Sequence, residues 1–187
     1  MVLPIYAYGQ PVLKKVAKDI DKDYPELEKL LADMWETMYN AQGVGLAAPQ
    51  IGRGIRLFLV DSKQTMEEGK EEDGIKQVFI NAEKIEETGE EKKYEEGCLS
   101  IPDVRGDVKR PNTLTIRFLD ENFEAHTVTY TGINARVVQH EYDHIEGLLF
   151  TEKLKPIKKR LIKRKLENIK KGKIRSEYKM KFFTPRR

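Results

Sequence analysis

Gln139-His140-Glu141-Tyr142-Asp143-His144 is the stretch that decides how the chain is read. On a helix, its H-E-x-x-H pattern sets two histidines one turn apart on one face, where both imidazoles reach a single metal ion. Glu141 projects about 100° round from His140, near enough to handle a proton of a metal-activated water without binding the metal. With three histidines in 187 residues, the pattern arises by chance in roughly one such chain in two hundred. The flanks also favour a helix. Ala135, Val138, Tyr142 and Ile145 recur at helical spacing, and Gly147 offers a C-terminal stop. The spacing predicts a catalytic metal-binding helix.

Upstream, Pro4 and Pro11 limit regularity over residues 1–20 and predict an irregular start with a short helical turn. Over 24–40, Leu27, Leu30, Leu31, Met34, Trp35 and Met38 predict an amphipathic helix with one face in the core. Gly43-Val44-Gly45-Leu46-Ala47-Ala48-Pro49-Gln50 is too glycine-rich for a helix and too apolar for a solvated linker. Its small residues let backbone approach a ligand or a neighbouring element closely. Without the lysine and Ser/Thr of a P-loop, it is not a phosphate cradle. Strands are predicted at 55–60 and 77–81 around an exposed loop at 62–74, with a further strand and turn over 83–93. A turn-like stretch, Glu95-Glu96-Gly97-Cys98-Leu99-Ser100-Ile101-Pro102, follows. Strands at 114–118 and 125–131 predict a hairpin around Asp120-Glu121-Asn122, with His126 a plain strand histidine.

Downstream, residues 156–171 predict a basic helix that buries Ile157, Leu161, Ile162, Leu166 and Ile169. Beyond it, Ile174, Tyr178, Met180 and Phe182 alternate with charged residues, the period of an edge strand with one covered face. Loss of that strand is expected to lower stability while sparing catalysis on short peptides. Strands followed by a helix, with other helices segregated at the ends, predict an α+β fold with mixed or antiparallel sheets around a central metal-binding helix. The expected organisation is a catalytic domain over 1–172, including the basic helix, and a C-terminal tail over 173–187.

At 187 residues the chain suits one domain with a real core. No apolar run approaches the ~20 residues of a membrane span, and residues 1–13 lack the pattern of a signal peptide. A lone cysteine, Cys98, excludes an internal disulfide and fits a reducing cytoplasm. The net charge of +3 hides an asymmetry: residues 155–187 carry fifteen Lys/Arg against Glu167 and Glu177, and the rest 19 basic and 29 acidic groups. The tail is thus +13 and the body −10, a matter of partners and solubility rather than fold.

A catalytic site of this kind takes three protein ligands and keeps one position open. Glu167, 23 residues beyond His144, has the placement of a third ligand in one family of peptidases, but among lysines it also reads as a surface i,i+4 partner of Lys163. Cys98, the one soft ligand available, is favoured. Here the chain resembles a known family. Gly43 to Gln50, Glu96-Gly97-Cys98-Leu99-Ser100 and the H-E-x-x-H stretch look like the three signature motifs of peptide deformylases, in the family's order and at similar separations. The resemblance covers roughly residues 1–170. It implies the deformylase fold and removal of the formyl group from the N-terminal formylmethionine of new polypeptides.

It also implies roles. Cys98, His140 and His144 would hold Fe2+, which Zn2+, Ni2+ or Co2+ replace after purification. Metal-activated hydroxide would attack the formyl carbonyl, with Glu141 as acid and base. The Gln50 amide and the Leu99 N–H would stabilise the oxyanion beside Gly45. Val44, Gly97, Arg105, Ile133, Arg136 and Val137 would border the substrate. Arg136 is expected to lay its stem along the methionine pocket and send its head to solvent or a carboxylate. Two readings of Asp143 stand, a partner of Arg105 or Arg110 behind the ligands or a surface aspartate. The alternative from the same chemistry is an H-E-x-x-H metallopeptidase, which needs neither Cys98 nor Gln50. From another class comes a ribosome- or RNA-binding module carried by the +13 tail, against which stand the acidic body and the lack of an RNA-reading motif. The expected partners are formyl-Met nascent peptides and, through the basic helix, the ribosome, with no membrane and no DNA.

Overall fold

In the computed structural model, which describes residues 1–184, α-helices and antiparallel strands give an α+β architecture. β1 (Ile5–Tyr6) is followed by α1 (Leu27–Asn40), β2 (Gly45–Ala47), β3 (Leu57–Asp61), β4 (Lys76–Cys98), β5 (Ile101–Leu119), β6 (Ala125–Thr131), α2 (Gly132–Ile145), α3 (Pro156–Lys170) and β7 (Met180–Lys181). An antiparallel sheet runs in the order β2-β3-β4-β5-β6. β1 and β7 form a separate two-stranded parallel sheet. Every residue of β3 is buried, which explains the apolar run from Leu57 to Val60.

β4 and β5 are longer than the sequence suggested. The break read near residue 81 is a bulge, where Asn81 adopts φ 49°. Its amide accepts the Ile20 N–H at 2.9 Å and donates to the Ile20 carbonyl at 2.7 Å, which holds the chain's start against the sheet. β5 begins thirteen positions before residue 114, because burial alternates through Val104, Gly106, Val108 and Arg110. A glycine and an arginine on the inner face hide that alternation from a hydrophobicity reading. The hairpin around residues 120–122 is present, and His126 bonds Asp120 at 2.7 Å.

α1 buries Leu30, Leu31, Met34 and Met38 against β2, β3 and β4, with Leu27 and Trp35 at the margin. α2 lies against β2, β3, β5 and β6. It ends as expected at Gly147, whose φ of 72° suits glycine and where a Cβ would strike the Lys14 backbone at 2.8 Å. α3 departs from expectation. Ile162 and Ile169 are buried and Leu166 is partly so, but Ile157 and Leu161 are 70% and 72% exposed. The buried stripe runs 162-166-169, and residue 161 falls about 100° off it. The tail also differs. Burial alternates as predicted through Ile174, Tyr178, Met180 and Phe182, yet the strand is only β7 and joins β1 rather than the main sheet. Residues 185–187 of the tail lie outside the described residues.

Candidate metal centre

α2 is buried along most of its length, and two of its neighbours meet the His140–His144 face. β4 ends at Cys98, and Leu99 and Ser100 make the turn into β5, with Cys98 paired to Ile101. This turn brings the Cys98 thiol to 3.3 Å from His144 Nε2. One ligand atom each from Cys98, His140 and His144 lies within 4.8 Å of the others. A tetrahedral ion bonded to sulfur and imidazole nitrogen keeps such donors about 3.5 Å apart, so the three residues fit a single ion. Glu167, the competing ligand, is exposed on α3 and outside this cluster.

Behind the ligands lies a buried ionic network. Glu96 Oε2 is 3.0 Å from His140 Nδ1, which leaves Nε2 for a metal. Arg110 donates to Glu96 from Nε at 2.6 Å and Nη2 at 3.0 Å, and from Nη1 to Asp143 at 2.8 Å. Arg136 adds a 3.0 Å bond to Glu96 and bonds to the carbonyls of Val108 and Lys92. Asp143 is therefore a buried partner of Arg110; Arg105 instead pairs with Glu95 on the rim. Glu96, for which the sequence predicts no role, is the hub.

The electrostatics follow from burial and these bonds. Burial pushes the Glu96 carboxyl up, but the hydrogen bonds from His140 and Arg110 outweigh it and hold it well below the usual carboxylate range. Burial drops His144 well below the ordinary histidine value, keeping its imidazole neutral. For His140 burial is outweighed by bonds with Cys98 and Glu96, which raise it. Burial pushes Glu141 up to about 7, opposed by His140. Its Oε2 is buried without a hydrogen-bond partner, as is His144 Nδ1.

These groups open onto a cleft of about 810 Å3. Cys98, His140 and Glu141 line it, with Gln50 and Leu99, while His144 lies buried behind. Gln50 is held by its oxygen, which accepts the Ala47 N–H at 2.9 Å, so its Nε2 points at Cys98 Sγ (3.4 Å) and Ser100 Oγ (3.2 Å). The glycine-rich stretch supplies β2, and a Cβ on Gly45 would lie 2.4 Å from Glu141 Oε1. The close approach read from its small residues is thus to the motif glutamate. Val44, Gly97, Arg105, Ile133, Arg136 and Val137 all border the cleft. The Arg136 head, expected at solvent or a carboxylate, is buried on Glu96. Tyr94, Pro102, Asp103 and four residues of the tail (Arg175, Ser176, Glu177 and Tyr178) line it as well, which the sequence reading missed. The alternation placing Tyr178 on the covered face of the tail was the available signal.

The chain matches the sequence model of the polypeptide deformylase family over residues 2–160. It belongs to the peptide deformylase family. The peptide deformylase of Christiangramia forsetii is 60% identical over 189 residues, 97% of this chain and 96% of its own. That of Flavobacterium psychrophilum is 54% identical and matches over the whole of both chains. Among solved structures, a peptide deformylase from Legionella pneumophila superposes with a TM-score of 0.79 at 36% identity, covering 92% of this chain and 98% of its own. The family's reaction is metal-dependent hydrolysis that removes the formyl group from N-terminal formylmethionine of newly made polypeptides, so the metallopeptidase alternative falls away. Among the described residues no helix is long and apolar enough to cross a membrane.

Proposed function

We propose that this deformylase holds Fe2+ through Cys98, His140 and His144, with Zn2+, Ni2+ or Co2+ able to substitute. One thiolate and two imidazoles suit either iron or zinc. When bound, the ion acidifies a water and polarises the formyl carbonyl. The protein supplies the rest. Glu141 takes the water proton and gives it to the departing amine; a carboxyl that burial pushes up to about 7, with one oxygen unpartnered, supports that role. The Gln50 Nε2 and the Leu99 N–H stabilise the oxyanion, and fixation of the Gln50 amide through Ala47 means little reorganisation during reaction. Gly45 gives Glu141 its room. Val44, Ile133 and Val137 receive the methionine side chain, with the stem of Arg136 alongside; Gly97 and Arg105 border the peptide beyond it.

The observation that carries this reading is the convergence of Cys98, His140, an unpartnered carboxyl and an oriented amide on one cleft, with His144 directly behind the first two. Every residue given a role above falls within residues 1–172, and the chain works in the cytoplasm. α3, with Arg160, Lys163 and Arg164 exposed, holds it near ribosomal RNA, with DNA no partner. The test joins metal analysis of anaerobically purified protein to formate release from a formyl-Met peptide. Glu141→Ala should keep its metal and lose release by at least about a hundredfold, whereas Cys98→Ala should lose both. A Cys98 variant with full metal content would refute the ligand assignment.

A further inference from the structure

We propose that Tyr178, in the C-terminal tail, is a positioning residue for catalysis that fixes the turn carrying Leu99. The Tyr178 hydroxyl donates to the Leu99 carbonyl at 2.6 Å, across 79 positions of sequence. Leu99 and Ser100 are the two residues between β4 and β5, where neither is matched in the strand register. The turn is held from outside instead. Tyr8 N–H donates to the Ser100 carbonyl at 2.8 Å, and Tyr178 takes the neighbouring carbonyl. Both clamps come from one device. Tyr8 stands two residues past β1 and Tyr178 two before β7, and the pairing of Ile5 with Met180 brings both to the turn. The tail also packs from this side, with Ile174, Met180 and Phe182 in the same apolar cluster as Cys98.

The consequence rests on the reading of Leu99 as an oxyanion donor. A peptide N–H helps the transition state only if its direction is set beforehand. The Cys98–Leu99 peptide bears that N–H, and the next carbonyl along is the one Tyr178 holds. Removing the hydroxyl lets the turn rock, loosening the donor without touching the metal ligands or the methionine pocket. The tail then works in catalysis as well as in stability, against the expectation that catalysis survives its loss.

The test is Tyr178→Phe in the full-length, metal-loaded enzyme, since phenylalanine keeps the ring's packing and removes one hydroxyl. The expected result is a fall in kcat of about tenfold, a part of the hundredfold or more that deletion of an oxyanion donor costs. KM for formyl-Met-Ala-Ser and metal content should stay at wild-type values. A kcat within twofold of wild type, or a change confined to KM or to melting temperature, would overturn the proposal. If the variant folds poorly, Tyr8→Pro, which removes the N–H on Ser100, provides the second reading through the same kcat and KM split, and an unchanged kcat there also counts against the clamp. Wild-type protein without formate release would instead strike the functional reading itself, so the two failures are distinct.

Discussion

α2 and α3 are nearly equal in length, 14 and 15 residues, yet ten residues of α2 are buried and only Ile162 and Ile169 of α3 are. Apolar content does not explain this. α2 buries Arg136, Glu141, Asp143 and His144 in full, while α3 leaves Ile157 and Leu161 in solvent. What separates the helices is partners for their polar groups. Arg136 meets Glu96, Asp143 meets Arg110, and His140 meets Glu96, all across the α2–sheet boundary. The lysines and arginines of α3 are exposed, apart from the half-buried Lys158. A buried charge is tolerated when it is paired, so β4 and β5 keep Arg136, His140 and Asp143 inside by presenting Glu96 and Arg110, and the unpartnered Glu141 Oε2 and His144 Nδ1 lie at the candidate metal centre.

The largest effect should come from breaking that set. Arg110 is 3% exposed and bridges Glu96 and Asp143. Arg110→Met should leave Asp143 without its buried partner and Glu96 with Arg136 and His140 alone, at a cost of about 3–5 kcal/mol. For a chain of this size that is roughly 6–20 °C in melting temperature, read by calorimetry. Lys153, 3.6 Å from Asp143 and 38% exposed, is too solvated to replace it. An unchanged melting temperature would mean that pairing is not what keeps α2 inside.

This asymmetry also explains how much was legible in the sequence. Motifs whose chemistry is local could be read directly: the histidine spacing, the glycine-rich approach now seen at Gly45 and Glu141, and the Gly147 stop. Strand lengths could not, because polar residues occupied inner positions. Arg110 sits where an alternation rule asks for an apolar side chain, and Asn81 makes a bulge look like a strand end. On α3 the error ran the other way. Five apolar residues at near-helical spacing all predict core positions, although a helix on the surface buries a stripe of about 100°. The Glu96 hub and the Tyr178 contact depend on pairings across 14 to 79 positions, which no local spacing reveals.

A finer test contrasts neighbours on α3. Ile162→Ala opens space under the helix and should cost about 2–4 kcal/mol. Leu161→Ala, one residue away and 72% exposed, should stay within about 0.5 kcal/mol. Urea denaturation of both variants measures the difference, and equal losses would show that the face of α3 has been misassigned.

The smallest effect on stability should come from the charges of α3, where the comparison turns from folding to partners. Arg160, Lys163 and Arg164 are exposed and Lys158 is half-buried along its stem, which lies 3.4 Å from the position of a Cβ on Gly106. Replacing all four with glutamine removes the charges and shortens the stems at largely solvated positions, so melting temperature should move by no more than about 2 °C, as surface substitutions do. If the helix meets ribosomal RNA through phosphates, each lost cation removes one released counterion. Co-sedimentation with ribosomes should then weaken for the variant at low salt, and its salt dependence should be shallower than wild type's. Formate release from a short formyl-Met peptide should be the same for both, because none of the four residues borders the cleft. Equal co-sedimentation of variant and wild type at every salt concentration would leave the basic face of α3 as a solvated surface and nothing more.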